Sequence, residues 1–221
     1  MFLFAPIKWA IKILGLLITA AVAYLLVTGV QVVLAENSIG ISSSPTQRVN
    51  AIVVLVPEQS ASVATADLVA RLQETLLLLQ NRVASHVILV STQKTGLTSL
   101  IHSSGSPSFN AGLESAKKWL ITHGIPNSDV VGTFNGATYD ALLSAARSIS
   151  SANQVVIVTD AIDRLWVSHT AKSAGLNVER IYAAVGSQKL FINELGSTWL
   201  QTSGVAAGRI IGFSHTSWVT G

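Results

Sequence analysis

The sequence predicts an α/β fold: a three-layer domain on a mostly parallel sheet of about five strands, preceded by one N-terminal transmembrane helix. Three observations carry this. Short apolar, β-branched runs alternate with helical stretches of about ten to fifteen residues, the pattern of β-α-β crossovers. Residues 13–35 are a run of 23 without a charged side chain. Of the 221 residues, 49% are hydrophobic and only 11% charged, less than half the roughly 25% charge of an ordinary globular chain. That balance excludes disorder, which needs low hydrophobicity and high charge.

The apolar run comes first. About 20 apolar residues cross a ~30 Å hydrocarbon core as a helix, so residues 13–35 are long enough. Lys8 and Lys12 flank the run on one side, while Glu36 and then Arg48 are the first charged and first basic residues on the other. Basic flanks stay on the cytoplasmic side, which predicts residues 1–12 inside and everything after the helix outside. Trp9 suits an interfacial anchor. A cleaved signal peptide is the alternative, with the small-residue triplet Val33-Leu34-Ala35 as its cleavage site, but signal cores are shorter. A buried core helix is the third option. Residues 36–49 read as a polar linker, and residues 50–221 as the folded domain.

Within that domain, Ala51–Val56 (AIVVLV) is a strand covered on both faces. Residues 65–80 are helical, with Leu68, Leu72, Thr75, Leu76 and Leu79 at three-to-four spacing. HVILV at 86–90 is the second strand. Residues 110–122 form the second helix, ended by Gly124-Ile125-Pro126. Residues 130–134 are a short third strand and 138–149 a third helix. QVVIVT at 154–159 is the fourth strand. Its helix runs to about Ala174, with Gly175 as C-cap, and 178–184 is the fifth strand. A further helix is expected within 193–208. The stretch Arg209-Ile210-Ile211-Gly212-Phe213 reads as a terminal strand, or as a segment resting on the membrane or a partner. Connection 91–109 is far longer than usual and reads as a lid, a binding loop or a surface insertion.

Open parallel sheets bind ligands at the carboxyl ends of their strands. That places candidates in four loops. Glu58 and Gln59 follow strand one, Gln93 and Lys94 follow strand two, Thr138 and Asp140 follow strand three, and Asp160, Asp163 and Arg164 follow strand four. Asp160, Asp163 and Glu58 are the candidate catalytic carboxylates; Arg71, Thr138, Asp140, Arg164 and Gln59 are candidate ligand-binding residues. Asp160 is also expected to cap the following helix, with Asp163 in its first turn. An exposed Arg71 paired with Asp67 or Glu74 is the bland reading of that residue.

Several chemistries are excluded. The chain has no cysteine, hence no disulfide or thiolate site. No glycine-rich phosphate loop and no G-x-S-x-G elbow occurs, so no cofactor is expected. The five histidines lack ligand spacing, so no metal is expected either. A net charge of +3 without a basic cluster argues against nucleic acid.

The order of motifs resembles the YdcF/SanA/ElyC-like family of bacterial, often membrane-anchored proteins. The matching pieces are AIVVL at 51–55, DLVARLQETLLLL at 67–79, HVILVST at 86–92 and ESAKKWLITHGIP at 114–126. They continue with GATYDALLSAARSI at 136–149 and VVIVTDAIDRLWVSHTAKSAGLNV at 155–178. The resemblance implies a Rossmann-like domain with a polar pocket at the strand ends and a role in the cell envelope. Arg71 and Asp160 are retained from the family pattern. Asp163 and Trp166 stand where the family has histidine and arginine, Ala141 replaces an amide, and Pro57 and Gln93 fall where glycines are usual. Histidine shuttles protons and arginine clamps anions, so these changes imply a degenerate pocket. The chain is therefore expected to bind or scaffold. An active envelope enzyme acting on a phosphorylated or lipid-linked precursor is the alternative. Another is an accessory subunit of a membrane complex, held to a protein partner through residues 13–35.

Overall fold

The computed structural model describes residues 4–37, 48–57, 64–91, 109–134, 136, 138–149, 153–161, 163–184 and 202–215. Five parallel strands make one sheet: β1 (Ala51–Val56), β2 (His86–Ser91), β3 (Val130–Phe134), β4 (Gln154–Asp160) and β5 (Asn177–Ala184). Their order is β3-β2-β1-β4-β5. The α/β class and the five-strand parallel sheet expected from the pattern are present. The most apolar runs are the central strands: β1 is buried along its whole length, and β2 and β4 nearly so. Edge strand β3 alternates between half-buried and exposed positions, as one free edge and thinner cover require.

Helices cover both faces. On one side lie α2 (Ala66–Gln80) and α3 (Phe109–Thr122), whose Leu68, Leu72, Leu113 and Leu120 pack on Ile52, Val54, Leu89 and Val158. On the other lie α4 (Thr138–Ser148) and α5 (Arg164–Ser173), with Leu142, Ala145 and Val167 on Val53, Ile88 and Ile157. Alternate residues of each strand therefore feed different cores, the period-2 consequence of pleating. Helices α3 and α5 end at Gly124 (φ +92°) and Gly175 (φ +87°). In both, a backbone N–H three residues past the helix reaches back to close the last turn: Ile125 to Leu120 and Leu176 to Ala171.

The N-terminal helix α1 (Phe4–Asn37) spans 34 residues, ~51 Å at the usual rise. Its stretch Ile11–Leu34 is long and apolar enough to cross a membrane. Side chains from Ile11 to Ala23 are exposed. The hydroxyls of Thr19 and Thr28 donate to the carbonyls of Gly15 and Tyr24, each at 2.9 Å, which satisfies them within the helix. The last turns are different. Thr28 and Val32 are buried, and Val32 joins the core of α4 and α5.

Residues 202–211 form a further helix, α6. This corrects the terminal-strand reading of 209–213: Val205 and Ala206 are buried at helical spacing, and Phe213 follows in a 3-10 turn (Phe213–His215). The apolar side chains of this segment are used against α1 and α5 instead: Val205 and Phe213 share a core with Val32 and Val167. The Phe213 ring stacks on His169 of α5 with centroids 5.2 Å apart. The linker stretch 38–47, most of the long connection (92–108), Trp199 and Trp218 lie outside the described residues.

Two predictions follow from this seat. A Cβ on Gly208 would collide with the Phe213 ring, so Gly208→Ala should destabilise by about 1–2 kcal/mol despite alanine's helix preference. Unfolding in detergent measures it, and an unchanged or higher midpoint would show that the ring is not held there. Burial, then the charges of Arg209 and Lys172, lower the pKa of His169. Its unfolded state binds the proton more readily, so its contribution is full above about pH 6.5 and fades as pH falls through the window below. The melting midpoint should drop less on acidification in His169→Gln than in the parent.

Candidate functional site

The strand order reverses between β1 and β4. From β1 the chain moves outward to β2 and β3, then returns to the other side of β1 for β4. In such sheets the crevice opens at the carboxyl ends of the two strands flanking the reversal. Pairing shows the opening directly. The ladder between β1 and β2 continues to Val56↔Ser91, whereas β1 and β4 are paired only as far as Val54↔Val158. Beyond that point the pairing of the two strands ends.

Arg71 fills the gap. It lies in the second turn of α2, which starts at the N-cap Thr65, whose hydroxyl accepts from the Leu68 N–H at 3.4 Å. The helix carries Arg71 over the strand ends at 3% exposure. Its Nη1 donates to the Leu55 carbonyl. Nε donates to Oδ1 of Asp160 at 3.0 Å and Nη2 to Oδ2 at 2.5 Å. Asp160 is the last residue of β4, on the same face as Val156 and Val158, and so points at α2. This two-pronged, charge-assisted geometry is the strongest ion-pair form available to arginine. Neither the expected Asp67 nor the expected Glu74 pairs with Arg71; the partner is 89 residues away.

The remaining candidates are placed elsewhere. Helix α5 begins at Arg164, and Asp163 holds its N-cap position. The Asp163 carbonyl accepts from the Val167 N–H at 2.8 Å. Asp160 is therefore not the cap: the strand runs one residue longer than expected and the helix starts three residues later. Arg164 lines a groove of about 310 Å³ between α5 and β5, with Ser168, Lys172, Glu179 and Arg180. Thr138 opens α4 and is buried, while Asp140 in the first turn is exposed. Because α4 and α5 cover one face and α2 the other, the sheet divides the candidate set. Arg71 and Asp160 meet; Thr138, Asp140, Asp163 and Arg164 belong to elements of the opposite layer. Glu58, Gln59, Gln93 and Lys94 lie outside the described residues.

Three groups at this end were missed by sequence reasoning. The first is the Leu55 carbonyl, since a backbone acceptor beyond the last register pair leaves no residue signature. The others are the Thr159 hydroxyl and the Trp166 indole N–H, both buried and without a hydrogen-bond partner among the described residues. Thr159 was visible as the polar residue within VVIVT. Trp166, which takes the family's arginine position in the resemblance, is packed into the core beside Val167. Among the described residues, no three His, Asp or Glu side chains come close enough to share a metal ion.

The ion pair sets a stability expectation. Asp160→Ala leaves a buried guanidinium unpaired and should cost about 3–5 kcal/mol, whereas Arg71→Met with Asp160→Leu should recover most of that loss. Denaturant unfolding of the two variants checks this; a single variant as stable as the parent would contradict it.

The chain was also compared with known proteins. No family model, curated protein or solved structure matches it.

Proposed function

We propose that this chain is a divergent member of the YdcF/SanA/ElyC-like family, serving bacterial cell-envelope biology as a binding or scaffolding module. The helix at 13–35 is its single pass through the inner membrane. Residues 1–12 lie in the cytoplasm and the domain at 50–221 outside, following the basic flank at Lys8 and Lys12. Its partner is a protein of the membrane or envelope.

The observation that supports a non-catalytic role is the closure of Arg71 on Asp160 and Leu55. An arginine that clamps phosphate or carboxylate needs its planar fork turned toward the ligand. Here both prongs are taken by Asp160, and the remaining nitrogen is taken by a backbone carbonyl. The pair that the family pattern retains thus serves to join α2 to the ends of β1 and β4. An active enzyme using Asp160, Asp163 and Glu58 with Arg71 or Arg164 has less support, because Asp163 and Arg164 start a helix of the other layer.

The test is turnover. The full-length protein, reconstituted in vesicles, is offered a polyprenyl-phosphate-linked sugar and a phosphorylated sugar. No product above protein-free vesicles is expected. Turnover that is lost in Asp160→Asn, with the fold and melting midpoint retained, would overturn the proposal in favour of the enzyme.

A further inference from the structure

A single-span helix followed by a polar linker suggests a domain on a tether, free to tumble above the bilayer. The last turns of α1 say otherwise. Thr28 and Val32 are buried, and Val32 shares a core with Val205 of α6, Val167 of α5 and Phe213. Gly29 lies against α6: a Cβ there would stand 3.6 Å from the Thr202 hydroxyl. The membrane helix and the domain are packed as one body at this seam.

The seam also fixes a height. Counting from Ile13, about 20 residues cross a ~30 Å core and reach Val32. Gln31 lies at that boundary, the strongly polar side chain near the end of the apolar stretch. Its Oε1 accepts a hydrogen bond from Nη1 of Arg209 at 2.7 Å. Arg209 is therefore held where the hydrocarbon ends. The next two residues of α6 are Ile210, 73% exposed, and Ile211, 44% exposed. Two neighbouring large apolar side chains beside an emerging membrane helix are a poor fit to water. They match the composition of segments that rest in a lipid interface, with a cation at phosphate level and aliphatic groups below it. Lys172 adds a second positive charge on this side, close enough to His169 to act on it together with Arg209.

The geometry points to a second membrane contact. The C-terminal turn of α6 lies on the leaflet from which α1 emerges, with Ile210 and Ile211 in the headgroup–acyl boundary and Arg209 among the lipid phosphates. This rests on reading α1 as a membrane span. The domain is then held at one angle and one distance from the bilayer, with α5 and α6 toward the lipid and α2 and α3 away from it.

The chain has no cysteine, so single environment-sensitive labels can be placed by Leu17→Cys, Leu77→Cys and Ile210→Cys. All three positions are exposed: Leu17 in the apolar part of α1, Leu77 on α2 across the sheet, and Ile210 in the patch. The full-length protein is reconstituted in phosphatidylcholine–phosphatidylglycerol vesicles carrying spin-labelled lipids. Quenchers at the bilayer centre should silence the label at position 17. Quenchers near the headgroup should remove roughly half the emission at position 210 and almost none at position 77. A label at 210 as unquenched as that at 77, with the label at 17 deep, overturns the second contact and leaves the membrane span standing. A label at 17 that no lipid quencher reaches overturns the span, and the contact with it. A label at 210 shielded from aqueous iodide yet untouched by lipid quenchers overturns the contact in favour of a protein cover such as a second copy.

Discussion

A parallel sheet cannot present a face to water, because its β-α-β crossovers place helices on both sides and its central strands are apolar throughout. That constraint organises this molecule. Val53, Leu55, Ile88 and Ile157 face one layer, while Ile52, Val54, Leu89 and Val158 face the other. Each buried side chain of this size contributes roughly 1.5–3 kcal/mol, so stability without disulfides has an obvious source. The cover is not supplied symmetrically. Among the described residues, helices α2 and α3 supply most of the cover on one face. On the other, α4 and α5 are supplemented by Val32 of the N-terminal helix and by Val205 and Phe213 near the C-terminus. The requirement to bury a sheet thus ties the N-terminal helix to the domain.

The same sheet creates a polar problem at its carboxyl end. Where the pairing of β1 and β4 ends, the carbonyl of buried Leu55 lies beyond the last register pair, and a buried polar group left unpaired is costly. Arg71 meets that need, and a buried arginine in turn demands a counter-charge, which Asp160 supplies. Buried ion pairs add little net stability over apolar replacements, but breaking one is expensive. The pair therefore fixes where α2 sits over the strand ends. It also occupies the position at which folds of this kind bind ligands.

How much was legible beforehand varies by element. The strands were readable because a strand buried on both faces must be an uninterrupted apolar run, and AIVVLV, HVILV and QVVIVT are such runs. Helix ends were readable where Gly124 and Gly175 close them. The start of α5 was not, because Asp160 and Asp163 are chemically equal candidates for a cap; the choice fell to Arg71, which claims Asp160 from α2. The 209–213 segment was ambiguous for a similar reason. A short apolar run has no period of its own, and only the surface it meets decides between strand and helix.

The sequence by itself determined the α/β alternation, the parallel sheet and a helix long enough to cross a membrane. These depend on local periodicity and on runs of apolar residues. Only the tertiary structure decided that Arg71 pairs with Asp160 rather than with Asp67 or Glu74, that the sheet separates the candidate residues into two layers, and that Gln31 meets Arg209. Those outcomes join residues 89 and 178 positions apart. Such contacts follow from strand order and helix packing, which no local pattern encodes.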